Sequence, residues 1–379
     1  EVWRAACQTI SAFPLLGTGI GTHGDISPMT MPSTDLTHFV HAENSYLNLA
    51  VETGFIGLGI TLIALFVALA AAATVYCKGS SQEQVIAAAI FTGLVAGMVN
   101  AIGHFNWYVP AITTLMVVLG TCGIRMAEKY AHWIPSLNIP APRILSVVVG
   151  CAAMVILGLL ASEHISAALV EPQWDEAVKQ SRVLASEQRK VTRSEAALSL
   201  EITKSHDSDQ AVQQAIEEKL HALVVQRKHV LSGLDKRILL LEDVVAVQPN
   251  HANAWAELAT ARCEHFGLSR QLRGEQVTLV DLRQAALSGG FKSRDTFEAW
   301  LSANTGDDLN DLHQAYQAAK RAVVASPFQG EAWCVLANLA FLETFEPQLP
   351  QRCLAQALIV RPHSGTVLFE AARQAELDG

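Results

Sequence analysis

Three residues near the start of the chain have side chains suited to proton transfer or anion binding. His41 and Glu43 stand two positions apart, and Arg4 is the only arginine before the first long apolar run. A histidine or a carboxylate can act as a general base or orient a hydroxyl, and a guanidinium can bind an anionic group. Less specific roles stay open, because Arg4 can be an interfacial anchor and His41 a plain polar residue at a helix start.

A glycine-rich turn and a polar segment accompany these residues. Residues 14–21 read Pro-Leu-Leu-Gly-Thr-Gly-Ile-Gly, a pattern that either cradles a phosphate or lets the chain fold back tightly. Residues 41–47 read His-Ala-Glu-Asn-Ser-Tyr-Leu, and Asn44 or Ser45 is a suitable cap for a helix that begins there. His104 lies in a short loop between apolar runs, where helix capping, contact with lipid headgroups and a functional role are all open.

Long apolar runs must position these residues. The chain has 379 residues, of which 50% are hydrophobic and only 17% charged, against roughly 25% charged residues in soluble domains. Residues 54–76, 85–103, 107–124 and 144–162 lack charged side chains, and each run is long enough to cross a bilayer core of roughly 30 Å as a helix. We therefore predict an all-α protein with four transmembrane helices within residues 53–165.

The basic residues of the short loops predict the orientation of these helices. Lys78 follows the first run and three basic residues lie in the loop at 125–143, whereas the loop at 104–106 has none. Short loops rich in Lys and Arg stay in the cytoplasm. We therefore expect residues 1–52, a motif-bearing loop, and residues 163–379 to lie together on the other side.

The tail after the apolar runs has a helical composition and a repeated pattern. Residues 166–248 read as long helices, and residues 249–379 as shorter ones. Three prolines are each followed six residues later by Trp or Leu: Pro249 by Trp255, Pro327 by Trp333, and Pro362 by Leu368. The second and third prolines are 35 positions apart, so the tail resembles degenerate tetratricopeptide repeats. A plain helical bundle is the alternative, and the 78-residue gap between the first two prolines is irregular.

Four short motifs occur in order within the first 57 residues. They are Trp-Arg-Ala-Ala at 3–6, the glycine turn at 14–21, the polar segment at 41–47, and Glu-Thr-Gly-Phe-Ile-Gly at 52–57. Together with the following span, and with Asn106 to Pro110 as a later turn, this order resembles the O-antigen ligase and polymerase family of bacterial membrane glycosyltransferases. The resemblance extends over residues 1–125 and does not include the tail.

The resemblance implies a reaction and a set of site residues. Such enzymes transfer glycan from an undecaprenyl-diphosphate carrier to an acceptor outside the cytoplasmic membrane, which is a lipid A-core, a polysaccharide or a protein. Ligase, polymerase and protein glycosyltransferase are not distinguished by these motifs. Many members have His directly before Asn, where this chain has Glu43, so we expect His41 to be the base or orienting residue and Glu43 to be the next candidate. The predicted catalytic residues are His41, Glu43 and Arg4, and the predicted substrate-binding residues are Asn44, Tyr46, Gly19, Gly21 and His104.

Other features limit the remaining functions. A net charge of −9 argues against nucleic acid as a partner, and the scattered cysteines give no metal-type spacing, so we expect neither metal nor cofactor. Because the motifs start abruptly at Glu1, we expect a C-terminal portion of a multi-pass protein of the bacterial inner membrane that is inactive alone. The alternative is a membrane-anchored repeat scaffold for polysaccharide export, whose tail binds a protein partner. A transporter would be expected to carry charges inside its spans, and the four predicted spans have none, which argues against that function.

Overall fold

The computed structural model describes residues 2–31, 41–131, 143–204, 210–275, 277–288, 290–291, 293–343 and 348–378. The side chains of residues 143–164, 204, 210–212 and 377–378 are not described. Within the described ranges the regular structure is entirely helical, as predicted. The chain divides into two compact units, Glu1–Ala152 with Pro362–Ser364, and Ala153–Arg361 with Gly365–Gly379.

In its described residues the first unit contains two short helices, three long apolar ones and the start of a further helix. The helices are α1 (Val2–Ala12), α2 (His23–Thr30), α3 (Ser45–Lys78), α4 (Ser81–Asn100) and α5 (Pro110–Ala127), with a 3₁₀ turn at Asn106–Tyr108 before α5. Helices α3, α4 and α5 are long and apolar enough to cross a membrane. Few of their large apolar side chains are buried, as expected for helices surrounded by lipid rather than water.

Small residues let the three long helices pack closely. Ala68 and Ala72 of α3 are buried, and a methyl group built on Gly120 of α5 would lie 3.3 Å from the Ala68 side chain. Leu94 of α4 is fully buried in the same cluster. Close approach through small residues is the usual way in which membrane helices associate.

The observed helices extend beyond the predicted apolar runs. The first helix begins at Ser45, as the polar motif predicted, and includes the run that starts at residue 54; the second begins at Ser81, before the run that starts at residue 85. The fourth predicted span falls at the start of α6 (Arg143–Lys204), which is helical, but its side chains lie outside the described residues. That span therefore stays a prediction.

The second unit is built from the remainder of α6 and eight further helices in the described ranges. They are α7 (Gln210–Val247), α8 (Ala252–Arg273), α9 (Leu279–Leu287), α10 (Arg294–Thr305), α11 (Leu309–Ala325), α12 (Gly330–Leu339), α13 (Gln348–Val360) and α14 (Gly365–Asp378). Ion pairs join α6 to α7, including Arg227 to Glu195 and Lys219 to Glu201. One large apolar core extends through this unit.

The first two proline segments of the tail share one local geometry. The indole Nε1 of Trp255 donates to the carbonyl of Pro249 at 2.8 Å, and Trp333 donates to the carbonyl of Pro327 at 2.9 Å. Each proline lies between two helices, as predicted, because proline lacks the N–H that a continuing helix needs. The third copy differs, because Leu368 is 48% exposed and so is not a packed residue, contrary to our prediction.

The irregular gap between the first two prolines has a structural explanation. Helix α8 packs mainly against α11, and α12 packs against α13. Helices α9 and α10 are therefore inserted between the two partners of the first helix pair. Arg321 of α11 lies over the ring of Trp255, 4.7 Å from its centroid, and joins the pair across the insertion.

Candidate functional site

The start of α3 is fixed to the connection between α4 and α5. The Asn44 side chain caps the helix by accepting from the Leu47 amide, as the sequence predicted. Ser45 is fully buried, and its Oγ lies 2.8 Å from the carbonyl oxygen of His104 and 3.1 Å from Oδ1 of Asn106. These contacts bring residues 60 positions apart in the chain to one end of the helices.

The imidazole of His41 lies between aromatic rings of the same connection. It stacks on Phe105 with ring centroids 4.8 Å apart, and it is tilted toward Tyr108 at 5.2 Å. Its Nδ1 is buried and has no hydrogen-bond partner among the described residues. The side chain as a whole is only partly buried. Packing against rings therefore orients this imidazole in the described structure.

A buried carboxylate is connected to this histidine through Tyr108 and Asn48. Glu52 is 3% exposed, and its two oxygens accept from the Tyr108 hydroxyl at 3.1 Å and from Nδ2 of Asn48 at 3.3 Å. The Oδ1 of Asn48 in turn accepts from the backbone amide of Ala42 at 3.0 Å. A carboxylate buried in this way is stable only when such donors surround it.

The Tyr108 hydroxyl stays protonated in this environment. Burial raises the pKa of Tyr108 well above its usual value; a hydrogen bond with Asn48 opposes this, and the negative charge of the adjacent Glu52 adds to it. The residue is therefore a neutral phenol at physiological pH. It donates its hydrogen to the Glu52 carboxylate.

The glycine turn is joined to a break in α3. Gly54 has φ 66 and ψ −170, which interrupts the helix and leaves nearby backbone groups without helical partners. The glycine turn supplies those partners. The bonds run from Thr18 N to the Val51 carbonyl (2.9 Å), from Gly19 N to the Glu52 carbonyl (2.9 Å), and from Phe55 N to the Pro14 carbonyl (2.8 Å).

The contact between turn and helix has room only for glycine. A Cβ on Gly17, whose φ is 69, would lie 2.4 Å from the backbone carbon of Glu52. A Cβ on Gly54 would lie 2.2 Å from the Leu15 carbonyl oxygen. This close contact favours the interpretation that the glycine motif lets the chain fold back tightly over the interpretation that it cradles a phosphate. It also fixes Glu52, because the turn binds its backbone directly.

An apolar groove begins next to this network. It has a volume of about 480 Å³ and is lined mainly by side chains of α3 and α5, among them Ala64, Leu65 and Val117. Glu52 and Tyr108 also line it, and the remaining side chains of the lining are apolar except for four threonines. The groove can accommodate an extended hydrocarbon beside a polar group.

The other predicted site residues lie in varied positions. Arg4 is exposed on α1 and makes no hydrogen bond or ion pair among the described residues. Glu43 is exposed, with a left-handed backbone at φ 55. The Tyr46 hydroxyl donates to the Met98 carbonyl at 2.9 Å, and the His104 side chain is exposed while its carbonyl accepts from Ser45.

The two glycines of the predicted site differ in their surroundings. The amide of Gly19 is engaged with the Glu52 carbonyl, whereas a Cβ on Gly21 would meet no atom within 4 Å. The structure thus brings His41 together with the α4–α5 connection, and it gives no contact between His41 and Arg4 among the described residues. The predicted roles of these residues stay predictions.

Sequence reasoning missed three residues of this site. Glu52 was treated only as part of a motif and as the boundary of a span, Tyr108 only as an interfacial residue within the later turn, and Asn48 was not singled out. A usable signal was present, because Asn48 and Glu52 are four positions apart and so share one face of a helix that starts at the polar motif. Nothing in the sequence alone places Tyr108 against them.

Comparison with known proteins supports the resemblance for the start of the chain. The family model described as O-antigen ligase matches residues 1–62. No curated protein and no solved structure matches the chain. The match covers the motif region and the first part of α3, so the resemblance that we predicted for residues 63–125 stays a prediction. The matched family and the three membrane-capable helices indicate a membrane protein.

Proposed function

We propose that this chain is part of a membrane glycosyltransferase that moves glycan from an undecaprenyl-diphosphate carrier to an acceptor hydroxyl outside the cytoplasmic membrane. The observation that carries the proposal is the placement of His41, within the segment that matches the O-antigen ligase family, against the buried Glu52–Tyr108 network. A polar network at the end of apolar helices is typical of functional sites in membrane proteins.

In the proposed reaction the acceptor hydroxyl attacks the anomeric carbon of the carrier-linked sugar. A new carbon–oxygen bond forms as the bond between that carbon and the diphosphate oxygen breaks, and the diphosphate takes the electron pair. His41 accepts the hydroxyl proton, a step for which a positioned base supplies typically about 10²–10⁴-fold in rate. Arg4 is the candidate in this chain for binding the diphosphate charge.

The apolar groove supports a lipid-linked donor. A hydrocarbon chain in the groove between α3 and α5 would have its polar end near Tyr108, in the same network as the His41 ring. Burial of apolar surface contributes about 25 cal/mol per Å², so an extended hydrocarbon can bind there without polar contacts. The apolar side chains of the groove therefore belong to the proposed donor site.

The distribution of basic residues supports an extracytoplasmic site. Helix α3 starts at the His41 end and finishes at Lys78, whose Nζ donates to the Tyr130 carbonyl at 3.4 Å. Lys129 pairs with Glu83 at this same end, at 3.5 Å. Because basic loops stay in the cytoplasm, His41 is proposed to lie on the opposite side.

The test is complementation in a strain that lacks the chromosomal gene. Full-length protein carrying His41→Ala should reach the membrane at normal levels and fail to transfer glycan, so that carrier-linked glycan accumulates. His221→Ala is the control, because His221 is exposed on α7 and is not part of the proposed site. Normal transfer by the His41→Ala protein would reject the assignment of the base.

We further propose that the tail is a tetratricopeptide-like domain that recruits the acceptor or a partner protein. Support comes from the matching bonds of Trp255 and Trp333 and from the pairing of α8 with α11 and of α12 with α13. Deleting residues 166–379 should then reduce transfer to the natural acceptor more than transfer to a small soluble acceptor. Equal effects on both acceptors would contradict recruitment.

A further inference from the structure

We propose that Glu52 is a positioning residue that holds His41 in its reactive orientation through its contacts with Asn48 and Tyr108. The inference rests on the proposed function, and it assigns a role to a carboxylate of the fourth motif that is not among the predicted site residues. Glu52 itself makes no contact with the imidazole; its effect passes through Asn48 and Tyr108.

The first contact acts on the backbone beside His41. Nδ2 of Asn48 donates to Glu52, which fixes the direction of the Asn48 amide and leaves its Oδ1 facing the Ala42 amide. Ala42 is fully buried and directly follows His41 in the chain. Without Glu52 the Asn48 amide keeps its hydrogen bond to Tyr108 but loses the carboxylate that helps to select this orientation. The position of the His41 backbone then becomes less well defined.

The second contact acts on the ring that packs against His41. The Tyr108 hydroxyl donates to the other oxygen of Glu52, which fixes the phenol ring whose centroid is 5.2 Å from that of the imidazole. Because the buried Nδ1 of His41 has no hydrogen-bond partner among the described residues, packing is the main described constraint on the imidazole. A shift of the Tyr108 ring is therefore transmitted to it.

The fixed position of Glu52 strengthens the argument. Its backbone carbonyl accepts from Gly19, and the break at Gly54 follows two residues later. The carboxylate thus extends from a backbone segment that is fixed by hydrogen bonds to the glycine turn. A side chain on such a segment can hold a mobile neighbour in place, which is what a positioning residue requires.

The experiment compares Glu52→Ala with Glu52→Gln in full-length protein reconstituted in lipid vesicles. A glutamine keeps both contacts, because its oxygen can accept from Asn48 while its amide donates to the Tyr108 oxygen. Glu52→Ala should lower kcat by about 10²-fold, the effect of a displacement of about 1 Å in a reacting group. Glu52→Gln should stay within about 10-fold of wild type. Glu128→Ala, which removes a surface carboxylate paired with Arg125, is the control.

A double substitution separates positioning from a general structural role. In protein that already carries His41→Ala, adding Glu52→Ala should leave the residual kcat unchanged, because the base that it positions is gone. An equal loss in both backgrounds would show that Glu52 acts independently of His41 and would overturn the proposal. So would wild-type activity of Glu52→Ala.

The same set of proteins distinguishes failure of the inference from failure of the proposed function. If His41→Ala is inactive and Glu52→Ala is fully active, the base stands and the positioning role is wrong. If His41→Ala transfers glycan normally, the proposed base is wrong and the positioning role fails with it. Membrane levels and thermal stability of each variant show whether a loss reflects misfolding.

Discussion

Replacing Gly54 by alanine should separate the glycine turn from α3. The new Cβ would lie 2.2 Å from the Leu15 carbonyl oxygen and 2.3 Å from its carbon, well inside any tolerable contact. Both atoms belong to backbone, so no side-chain rotation can relieve the overlap. The backbone at Gly54 also has φ 66, a conformation that L-residues rarely adopt.

The structure permits an order-of-magnitude value for this effect. A left-handed backbone costs a residue with a Cβ about 1–2 kcal/mol. Moving the turn away breaks the three backbone hydrogen bonds donated by Thr18, Gly19 and Phe55, each of which contributes about 0.5–1.5 kcal/mol net. The substitution should therefore destabilise the unit by roughly 2.5–6.5 kcal/mol. That is a large part of the stability of an ordinary domain.

Thermal unfolding of the detergent-solubilised full-length protein, followed by tryptophan fluorescence, measures the effect. Gly59→Ala is the matched control, because Gly59 lies in the same helix, has helical backbone and has no atom within 4 Å of a built Cβ. In a helix this control change is expected to be neutral or stabilising by up to about 1 kcal/mol. Equal Tm values for the Gly54→Ala and Gly59→Ala proteins would refute the argument.

Two further predictions concern Glu43 and the tail. Glu43→Gly should be about 1 kcal/mol more stable than Glu43→Ala, because only glycine adopts φ 55 without strain, and both should retain transfer; a stable but inactive Glu43→Gly protein would make Glu43 the base. In the tail, the hydrogen bond that the His265 imidazole donates to Asp311 raises the pKa of His265, and the charges of Asp311 and Asp235 raise it further. Because the folded pKa is the higher one, this stabilisation is complete below about pH 6.5 and is lost as the pH rises through the folded value. Thermal unfolding of residues 166–379 should show a fall in Tm across this range that His265→Gln reduces, and an unchanged pH dependence in that variant would contradict the assignment.

Local patterns in the sequence predicted much of the fold. Asn44 was recognisable as a cap because its side chain acts on an amide three residues away, and the prolines at 249 and 327 separate helices for an equally local reason. The break at Gly54 was missed, because an apolar run reads as continuous helix whether or not a glycine inside it is left-handed. Only the distant turn that crosses there makes the break favourable.

The candidate site was predictable only in its local parts. The motif order identified His41, but the aromatic rings that pack against it come from residues more than 60 positions away. Glu52 was read as the boundary of a span because it is the last charged residue before the first apolar run. Its partner Tyr108 lies in another connection, so the sequence does not show their contact. Contacts between separate segments depend on how helices pack, and single-sequence patterns carry little information about packing.

The most direct test of the proposed function is single-turnover transfer by purified full-length protein, from a labelled undecaprenyl-diphosphate-linked glycan to an acceptor. The assay compares wild type with His41→Ala at equal folded amounts. The account predicts that the rate constant for release of the carrier diphosphate falls by about 10²–10⁴-fold while donor binding is retained. An unchanged rate constant in the His41→Ala protein would contradict it.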